Sequence, residues 1–562
     1  MKMRSGDLMV VALIALYLAL TGLWPMLRLA VEAFGAGDTG QPLGLIRDVV
    51  GSRGFLRAFW NTVTVSAASV AVSAFLGMAL AYASGLLRLP GQVAIGFLAL
   101  SPLLVPSQIM ALAWIELMGA SSPILNLFGM AHQPGETNPL YSPAGIAWLL
   151  GIEHIPLVFL AVRASLVAIP GDLVEAARIA GARGTRITTR IILPLSLPAA
   201  AAGAILAFAS AVGNFGVPAL LGIPARFPML TTLIYQRLNG FGPGVIGKVA
   251  VMALALVVLT GLALALRALL IRRVAVPLPS GAGFHGFAHA RTRNLVALLV
   301  WGVLLFIAVL PMLALIATAL SPALGVSLTP ETATLTNLRE AFANPAIIRA
   351  LRNSLMLSAA AAAISAMVAI ILAWLSVSAK LPAARILEKL ADAPFVVPGT
   401  VLALAMILVY LPPLPVIGAS IYGTATILLL AYLGRFLPLV LRPVEAAMKA
   451  IDPALDEAAR IHRASVPCRI LRIALPMVLP SALAGAMLII LTAINELTVS
   501  ALLWSAGNET IGVMIFSLQY EGNSTGAAAL SVISIGLIAL LALITDLFGR
   551  RLPSGTLPWR TK

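Results

Sequence analysis

Long apolar runs with few charges recur along the whole chain and constrain its fold more than any other feature. Each run has about 20 or more residues, enough for a helix to cross a hydrocarbon core of about 30 Å. With 60% apolar residues, 10% charged residues and a mean hydropathy of +1.02, the chain is predicted to be an all-α polytopic membrane protein. Twelve transmembrane helices are predicted, at roughly 8–30, 60–87, 93–118, 143–164, 194–220, 245–271, 294–320, 353–378, 391–411, 421–443, 475–503 and 524–548. Pro394 and Pro398 weaken the ninth of them.

The positive charge is distributed unevenly between the loops. The formal net charge is +16, and most of the 37 Lys and Arg residues fall in alternate loops, on the side that would also hold both termini. This asymmetry predicts that both termini are cytoplasmic. Lys2 and Arg4 flank a first span without a small-residue cleavage site, which predicts a retained helix and not a signal peptide. Nucleic-acid binding is not expected, because it would need a soluble basic face with interleaved aromatic residues.

The chain consists of two similar halves in tandem. Residues 61–90 align with residues 353–382, and Pro102-x-x-x-Pro106 aligns with Pro394-x-x-x-Pro398, both at an offset of 292. The predicted domains are residues 1–275 and 294–562, joined by a cytoplasmic linker at 276–293 that is rich in Pro, Gly, His and Arg. Six spans in each half give the repeats parallel topology. A pathway is therefore predicted between the halves, along an axis normal to the membrane.

A twenty-residue segment occurs once in each half, between the fourth and fifth spans and 282 positions apart. The first copy begins Glu175-Ala-Ala-Arg-Ile-Ala-Gly181 and ends Ile191-Ile-Leu-Pro194, and the second begins Glu457-Ala-Ala-Arg-Ile-His-Arg463 and ends Ile473-Ala-Leu-Pro476. A basic loop presented twice implies a partner that is itself two-fold. The loops are predicted to span residues 172–194 and 452–476.

Each loop is predicted to begin with a short capped helix. Asp172 with Glu175 three residues later resembles a capping box. Asp452 can cap the second helix, and Pro453 suits its first position. Gly181 permits a sharp turn into the next segment, because glycine adopts positive φ freely.

The repeated segment resembles the EAA loop of binding-protein-dependent ABC importer permeases. The first copy matches the motif throughout, whereas the second has arginine in place of the glycine, so the two docking surfaces need not be equivalent. The residues expected to couple to the ATPase are Glu175, Ala176, Ala177 and Gly181 in the first loop, and Glu457, Ala458, Ala459 and Arg463 in the second. The resemblance covers essentially the whole chain. It implies a fold like that of type I ABC importer permeases, with two six-helix halves on one polypeptide.

The resemblance also implies the partners and the mechanism. Each loop would dock into one of two copies of a cytoplasmic ABC ATPase subunit, and a periplasmic substrate-binding protein would dock on the other side of a bacterial inner membrane. The chain has no Gly-x4-Gly-Lys-Ser/Thr loop to hold nucleotide phosphates. It is therefore expected not to be an enzyme, to have no catalytic residues and to bind no cofactor, with ATP used by the partner ATPase.

Polar residues inside the predicted spans are candidates for the pathway, because a carboxylate in lipid is costly. Glu496 is aligned with Asn214 at the 282-residue offset. The candidates for the pathway or gate are Asn214, Phe215, Asn495 and Glu496. A gating position and a helix-packing hydrogen bond remain alternatives. Glu116 and Glu153 lie near span ends and are predicted to be interfacial.

The cargo is the least determined property. Fused permeases of about this length resemble the ferric-iron importer group, whose relatives carry thiamine, aminoalkylphosphonates, or spermidine and putrescine. Ferric iron is the first choice, on the fused architecture alone. No metal site is expected in the chain, since Cys468 is the only cysteine and His285 and His289 have no third ligand. An ion-coupled secondary transporter is the alternative from another class, although it would have no reason to duplicate the basic loop.

Overall fold

A computed structural model describes residues 5–35, 40–41, 43–133, 135–240, 244–274, 293–326, 328–415 and 418–549. The predicted linker, 276–293, lies outside these ranges except for Arg293, and so do His285 and His289. Every regular element in the described ranges is a helix.

The helices of the first half are labelled α1 to α14. They are α1 (Ser5–Leu18), α2 (Trp24–Ala33), α3 (Gly44–Val50), α4 (Arg53–Leu86), α5 (Gln92–Leu104), α6 (Ser107–Met118), α7 (Pro123–Leu127), α8 (Pro143–Glu153), α9 (Ile155–Ala168), α10 (Gly171–Ile179), α11 (Gly184–Ile187), α12 (Leu193–Gly213), α13 (Leu230–Leu238) and α14 (Val245–Val274). Three π-helical turns interrupt or extend them, at Ala19–Leu23, Thr188–Ile192 and Pro218–Gly222.

The helices of the second half are labelled α15 to α28. They are α15 (Arg293–Leu304), α16 (Leu310–Leu320), α17 (Thr336–Ala343), α18 (Pro345–Ala373), α19 (Pro382–Leu390), α20 (Ala393–Val396), α21 (Gly399–Tyr410), α22 (Ala425–Lys449), α23 (Pro453–Ile461), α24 (Val466–Arg469), α25 (Leu475–Ala493), α26 (Ser500–Leu503), α27 (Ile511–Tyr520) and α28 (Ser524–Gly549). Their π-helical turns are Leu305–Val309, Trp374–Ser378 and Ile470–Ala474.

The predicted all-α membrane fold is confirmed. Within the described ranges, eleven helical segments are long and apolar enough to cross a membrane, and a bent pair makes a twelfth. The eleven are Leu8–Ala33, Arg53–Leu86, Ser107–Leu127, Pro143–Ala168, Gly184–Gly213, Val245–Arg273, Arg293–Leu320, Pro345–Ser378, Ala425–Lys449, Val466–Ala493 and Ser524–Ile544, and the bent pair is Pro382–Val396 with Gly399–Tyr410. Each overlaps one of the twelve predicted spans.

The third span of each half is broken at the second proline of the Pro-x-x-x-Pro motif. In the first half α5 ends at Leu104 and α6 begins at Ser107, and in the second the helical segment Pro382–Val396 meets α21 at an angle of 107°. Proline forces the preceding residue out of the helical region, and Val105 and Val397 have ψ values of 122° and 138°. The sequence predicted a weakness only in the second half, whereas the structure breaks the first as well.

The two halves repeat a pair of side-chain contacts at the ends of the spans. Asn61 donates to the Pro228 carbonyl at 2.8 Å, and Asn353, 292 positions later, donates to the Glu509 carbonyl at 3.0 Å. The neighbouring hydroxyls repeat as well, because Thr62 accepts from the Leu230 N–H at 2.8 Å and Ser354 from the Ile511 N–H at 2.9 Å. These buried bonds fix where α13 and α27 begin.

The first span of each half packs against the other half. Tyr410 of the second half donates to the Leu20 carbonyl at 2.7 Å, and Thr318 donates to Glu116 of the first half at 3.0 Å. Small residues allow this close approach, since a Cβ on Gly434 would clash with the Thr21 carbonyl. The hydrophobic core is therefore shared across the halves, and the domain limits 1–275 and 294–562 stay a prediction from the sequence.

Candidate functional site

The two predicted loops contain matching short helices, α10 and α23, which follow the fourth span of each half. Asp452 caps α23 as predicted, since its carboxylate accepts from the Ala454 N–H at 2.9 Å and Pro453 occupies the first helical position. The predicted capping box at Asp172 is wrong. Helix α10 already begins at Gly171, one residue before Asp172. Pro170 is at the N-cap position, and no side chain caps the helix.

Both helices end in the same turn, in spite of the arginine in the second copy. Gly181 has φ of 79° and Arg463 has φ of 55°. In the first copy Ala182 N–H donates to the Ala177 carbonyl at 2.9 Å, and in the second Ala464 N–H donates to the Ala459 carbonyl at 2.9 Å. This is the Schellman pattern of helix termination. The turn geometry is therefore shared, although a left-handed arginine costs roughly 1–2 kcal/mol more than glycine.

Each helix presents a matched exposed surface. Glu175 and Glu457 are exposed, as are the first alanines that follow them, whereas Ala177 and Ala459 are half-buried. Ile179 is 89% exposed and Ile461, at the equivalent position, is 80% exposed. Leu173 and Leu455 are also exposed at matched positions. Each helix thus exposes two aliphatic residues at matched positions.

The two loops are held to the bundle by different chemistry. In the first, Val174 and Ile187 are fully buried in one hydrophobic cluster. The residues 282 positions later are Asp456 and Arg469, which form a two-bond ion pair at 2.7 and 2.9 Å. Arg469 also lies over the Trp374 ring, 5.3 Å from its centroid. An apolar pair in one half thus corresponds to an ion pair in the other.

Asn214 and Glu496, two of the predicted pathway residues, occupy equivalent places where the fifth span of each half is interrupted. Asn214 Oδ1 accepts from the Val217 N–H at 3.1 Å, and the Glu496 carboxylate accepts from the Val499 N–H at 2.9 Å. Each side chain therefore caps the helical turn that follows it. Glu496 also accepts from the N–H and hydroxyl of Ser500, at 3.1 and 3.2 Å.

Asn495 and Phe215, the other two candidates, lie in contacts between the halves. Gln108 of the first half donates to the Asn495 carbonyl at 2.8 Å. The Phe215 ring lies 6.1 Å from the ring of Phe516 and 5.2 Å from that of Tyr235. Phe215, Tyr235 and Phe516 form an aromatic cluster that joins the halves, next to the interruptions of the two fifth spans. The contact surface between the two halves is called the seam below. The four candidates thus lie together near the seam, and their role in transport stays a prediction.

The structure adds polar residues that the sequence analysis did not select. Glu153 accepts hydrogen bonds from Ser107 and Asn214, and Glu116 is buried against Thr318. Both carboxylates therefore contact other helices of the bundle, and their predicted interfacial position stays a prediction. One signal was available, because Glu153 aligns at the 282-residue offset with Arg435, another charged residue inside a span.

A resident metal site is not evident from the side chains. Within the described ranges, no group of three or more His, Cys, Asp or Glu residues lies close enough to hold a metal ion. Cys468 is a free, half-buried cysteine in α24.

The chain is similar in sequence to several proteins named as transport permeases. It is 26% identical over 526 residues to a probable ABC transporter permease of Sinorhizobium fredii, which covers 91% of this chain and 90% of that protein. It is 24% identical over 559 residues to a ferric transport system permease of Actinobacillus pleuropneumoniae, covering 97% of this chain and 78% of that protein. It is 28% identical over 211 residues to a Salmonella choleraesuis permease named for 2-aminoethylphosphonate transport, covering 37% of this chain and 73% of that protein.

A family profile described as the inner membrane component of binding-protein-dependent transport systems matches the chain twice, at residues 69–276 and 366–554. Each match includes one copy of the repeated loop and the polar residues that follow it. The chain therefore belongs to the family of binding-protein-dependent transport system inner membrane components, as a permease with two membrane domains on one polypeptide.

Proposed function

We propose that this permease carries ferric iron from a periplasmic binding protein into the cytoplasm, driven by two copies of a separate ABC ATPase. The observation that carries the proposal is the duplicated helix with matched exposed residues, Glu175 and Ile179 in one copy and Glu457 and Ile461 in the other. Two equivalent docking helices suit a partner with two equivalent clefts. Loops and termini would then be cytoplasmic, in the inner membrane, as the distribution of Lys and Arg predicts.

The shared core supports a rocking mechanism. Because the first span of each half packs on the other half, movement of one docking helix would be transmitted to both halves. The aromatic cluster of Phe215, Tyr235 and Phe516 would serve as a barrier on the seam. Its rings would separate when ATP binding moves the halves apart. Asn214 and Glu496 would contribute through the capped turns beside this barrier.

Ferric iron is favoured among the cargoes by the extent of the match. The relative named for ferric transport aligns with 97% of this chain, including both halves, whereas the relative named for 2-aminoethylphosphonate transport aligns with 37%. At 24–28% identity these names do not transfer by themselves. 2-Aminoethylphosphonate is therefore the second candidate, followed by thiamine and by spermidine or putrescine.

The decisive experiment is ATPase stimulation in the assembled transporter. The permease would be purified with its co-expressed ATPase and mixed with binding proteins loaded with ferric iron, 2-aminoethylphosphonate, thiamine or putrescine. We expect the ferric-loaded binding protein to stimulate hydrolysis and the others to leave it at the basal rate. Stimulation by another loaded protein would overturn the cargo. An uptake that follows an ion gradient and needs no ATPase would overturn the importer mechanism in favour of a secondary transporter.

A further inference from the structure

A cavity of about 180 Å³ opens beside the break in the third span of the first half. Its polar lining consists of Ser107, Glu153, His154 and Ser210, and Pro106 of the break closes one side. This volume has room for several water molecules or one small charged group. The cavity borders the seam between the halves, because a Cβ on Gly213 would meet Pro398 of the second half at 3.3 Å.

The polar lining consists of one carboxylate, two hydroxyls and one imidazole. Glu153 is half-buried and accepts from Asn214 Nδ2 at 2.9 and 3.0 Å and from the Ser107 hydroxyl, which are both uncharged donors. His154 Nδ1 lies 2.6 Å from the Leu150 carbonyl, which can only accept, so this nitrogen carries a proton. In the neutral ring, Nε2 then accepts from the Ser210 hydroxyl at 2.9 Å.

The second half has a different set of residues at the equivalent positions. Ser107 corresponds to Gly399, Glu153 to Arg435 and His154 to Phe436, and Asn214 corresponds to Glu496. The Arg435 guanidinium interacts electrostatically with Glu496. The carboxylate of Glu496 is also bound by backbone N–H groups of the turn that it caps. The second half thus places a guanidinium beside its carboxylate, whereas in the first half the electrostatic partner of Glu153 is the His154 imidazole, beside an open cavity.

A carboxylate outside bulk water is stabilised by a counter-charge, so a cavity lined by one suits a cation and not an anion. We propose that this cavity binds one positively charged group of the cargo during its passage, with Glu153 as the counter-charge. The proposal rests on the importer function above and adds to it a one-sided site in the first half. The group is a metal cation if the cargo is ferric iron, and an ammonium group if the cargo is an amine.

The test compares variants of Glu153 in the complete transporter in proteoliposomes. Uptake would be measured from binding proteins loaded with radiolabelled ferric iron, 2-aminoethylphosphonate or putrescine. Glu153→Gln keeps an oxygen that accepts from Ser107 and Asn214 but removes the charge, and we expect it to lower uptake at least tenfold. Glu153→Asp keeps the charge and should stay within about threefold of the wild type. Glu116→Gln removes the charge of a buried carboxylate outside the cavity, and it should have little effect on uptake.

The outcomes separate this proposal from the proposed function. Iron uptake that is lost in Glu153→Gln supports a metal cation in the cavity, and amine uptake lost in the same variant supports an ammonium group. Unchanged uptake in Glu153→Gln overturns the site while the importer stands. Equal losses in Glu153→Asp and Glu153→Gln overturn a charge-specific role as well.

If the wild type takes up none of these cargoes, the proposed cargo fails and the cavity is tested by direct binding. The melting temperature of the purified permease would be measured with ferric citrate and with putrescine. A bound cation should raise it by about 1–2 °C in the wild type and not in Glu153→Gln. No rise with either probe overturns the proposal.

Discussion

The two repeated loops have the same backbone but are fixed by different side chains. Their helices end in the same Schellman turn, formed by glycine in the first and by a left-handed arginine in the second. Beneath the turn, Val174 and Ile187 are buried where the second loop has the Asp456–Arg469 ion pair. The comparison teaches that the two copies share the geometry of the exposed helix and its turn, while the contacts beneath them differ.

The largest effect is expected when one partner of the ion pair in the second loop is removed. Asp456→Ala leaves Arg469, whose side chain is 9% exposed, without its carboxylate. We expect a loss of about 2–3 kcal/mol in the stability of the second loop, because an unpaired buried charge is costly. ATP-driven uptake should fall with it. The measurement is thermal unfolding of the purified permease together with transport in proteoliposomes.

The matched control copies the first loop into the second. Asp456→Val combined with Arg469→Ile replaces the ion pair by the apolar pair found 282 positions earlier. Well-packed apolar residues often substitute for a buried ion pair without loss, so the double variant should stay within about 1 kcal/mol of the wild type. A double variant as unstable as Asp456→Ala would mean that the ion pair has no apolar equivalent here.

Charge reversal at the docking surface tests whether the two loops are equivalent in function. Glu175→Lys and Glu457→Lys change exposed side chains, so membrane insertion should be intact. Each should lower ATP-driven uptake at least tenfold by placing a cation against the partner surface, a difference of about 1.4 kcal/mol in coupling. Uptake and co-purification of the ATPase are the measurements. Glu331→Lys, an exposed glutamate in another loop, is the control, and normal uptake in both loop variants would contradict the docking assignment.

The smallest effect is expected at the Schellman turns, where the two loops differ by glycine and arginine. Arg463→Gly removes the strain of a left-handed arginine and should stabilise the second loop by about 1 kcal/mol. Gly181→Arg should cost the first loop a similar amount. Melting temperatures of the two variants provide the measurement. A loss of stability in Arg463→Gly would show that the arginine makes contacts that outweigh its backbone strain.

Much of the fold was predictable from sequence because membrane spans are determined locally. In lipid, a helix must satisfy its backbone hydrogen bonds within its own segment, so the apolar runs alone located the eleven spanning segments and the bent pair of the described ranges. The duplication likewise located both short loop helices, α10 and α23. The break before Ser107 was missed, although Pro102 and Pro106 match the prolines that raised the question in the second half. A comparison of the halves position by position would have predicted both breaks.

The contacts of the polar residues inside the spans were only partly predictable. Asn214 and Glu496 were selected because they align and lie inside spans, and the structure gives both the same capping role. Glu153 was assigned to a span end, because hydropathy reports only where an apolar stretch begins and ends along one helix. It does not report the hydrogen-bond partners that neighbouring helices provide. Its partners Ser107 and Asn214 are 46 and 61 residues away in the chain.

The sequence by itself determined the spans and the two short loop helices, because each depends on residues close together in the chain, and it showed the duplication directly. Only the tertiary structure decided that the first span of each half packs on the other half. It also decided that Asp456 meets Arg469 and that Glu153 faces a cavity beside the seam. The physical reason is that helix packing in a membrane depends on the fit of small surfaces from distant segments, and hydropathy carries no record of that fit.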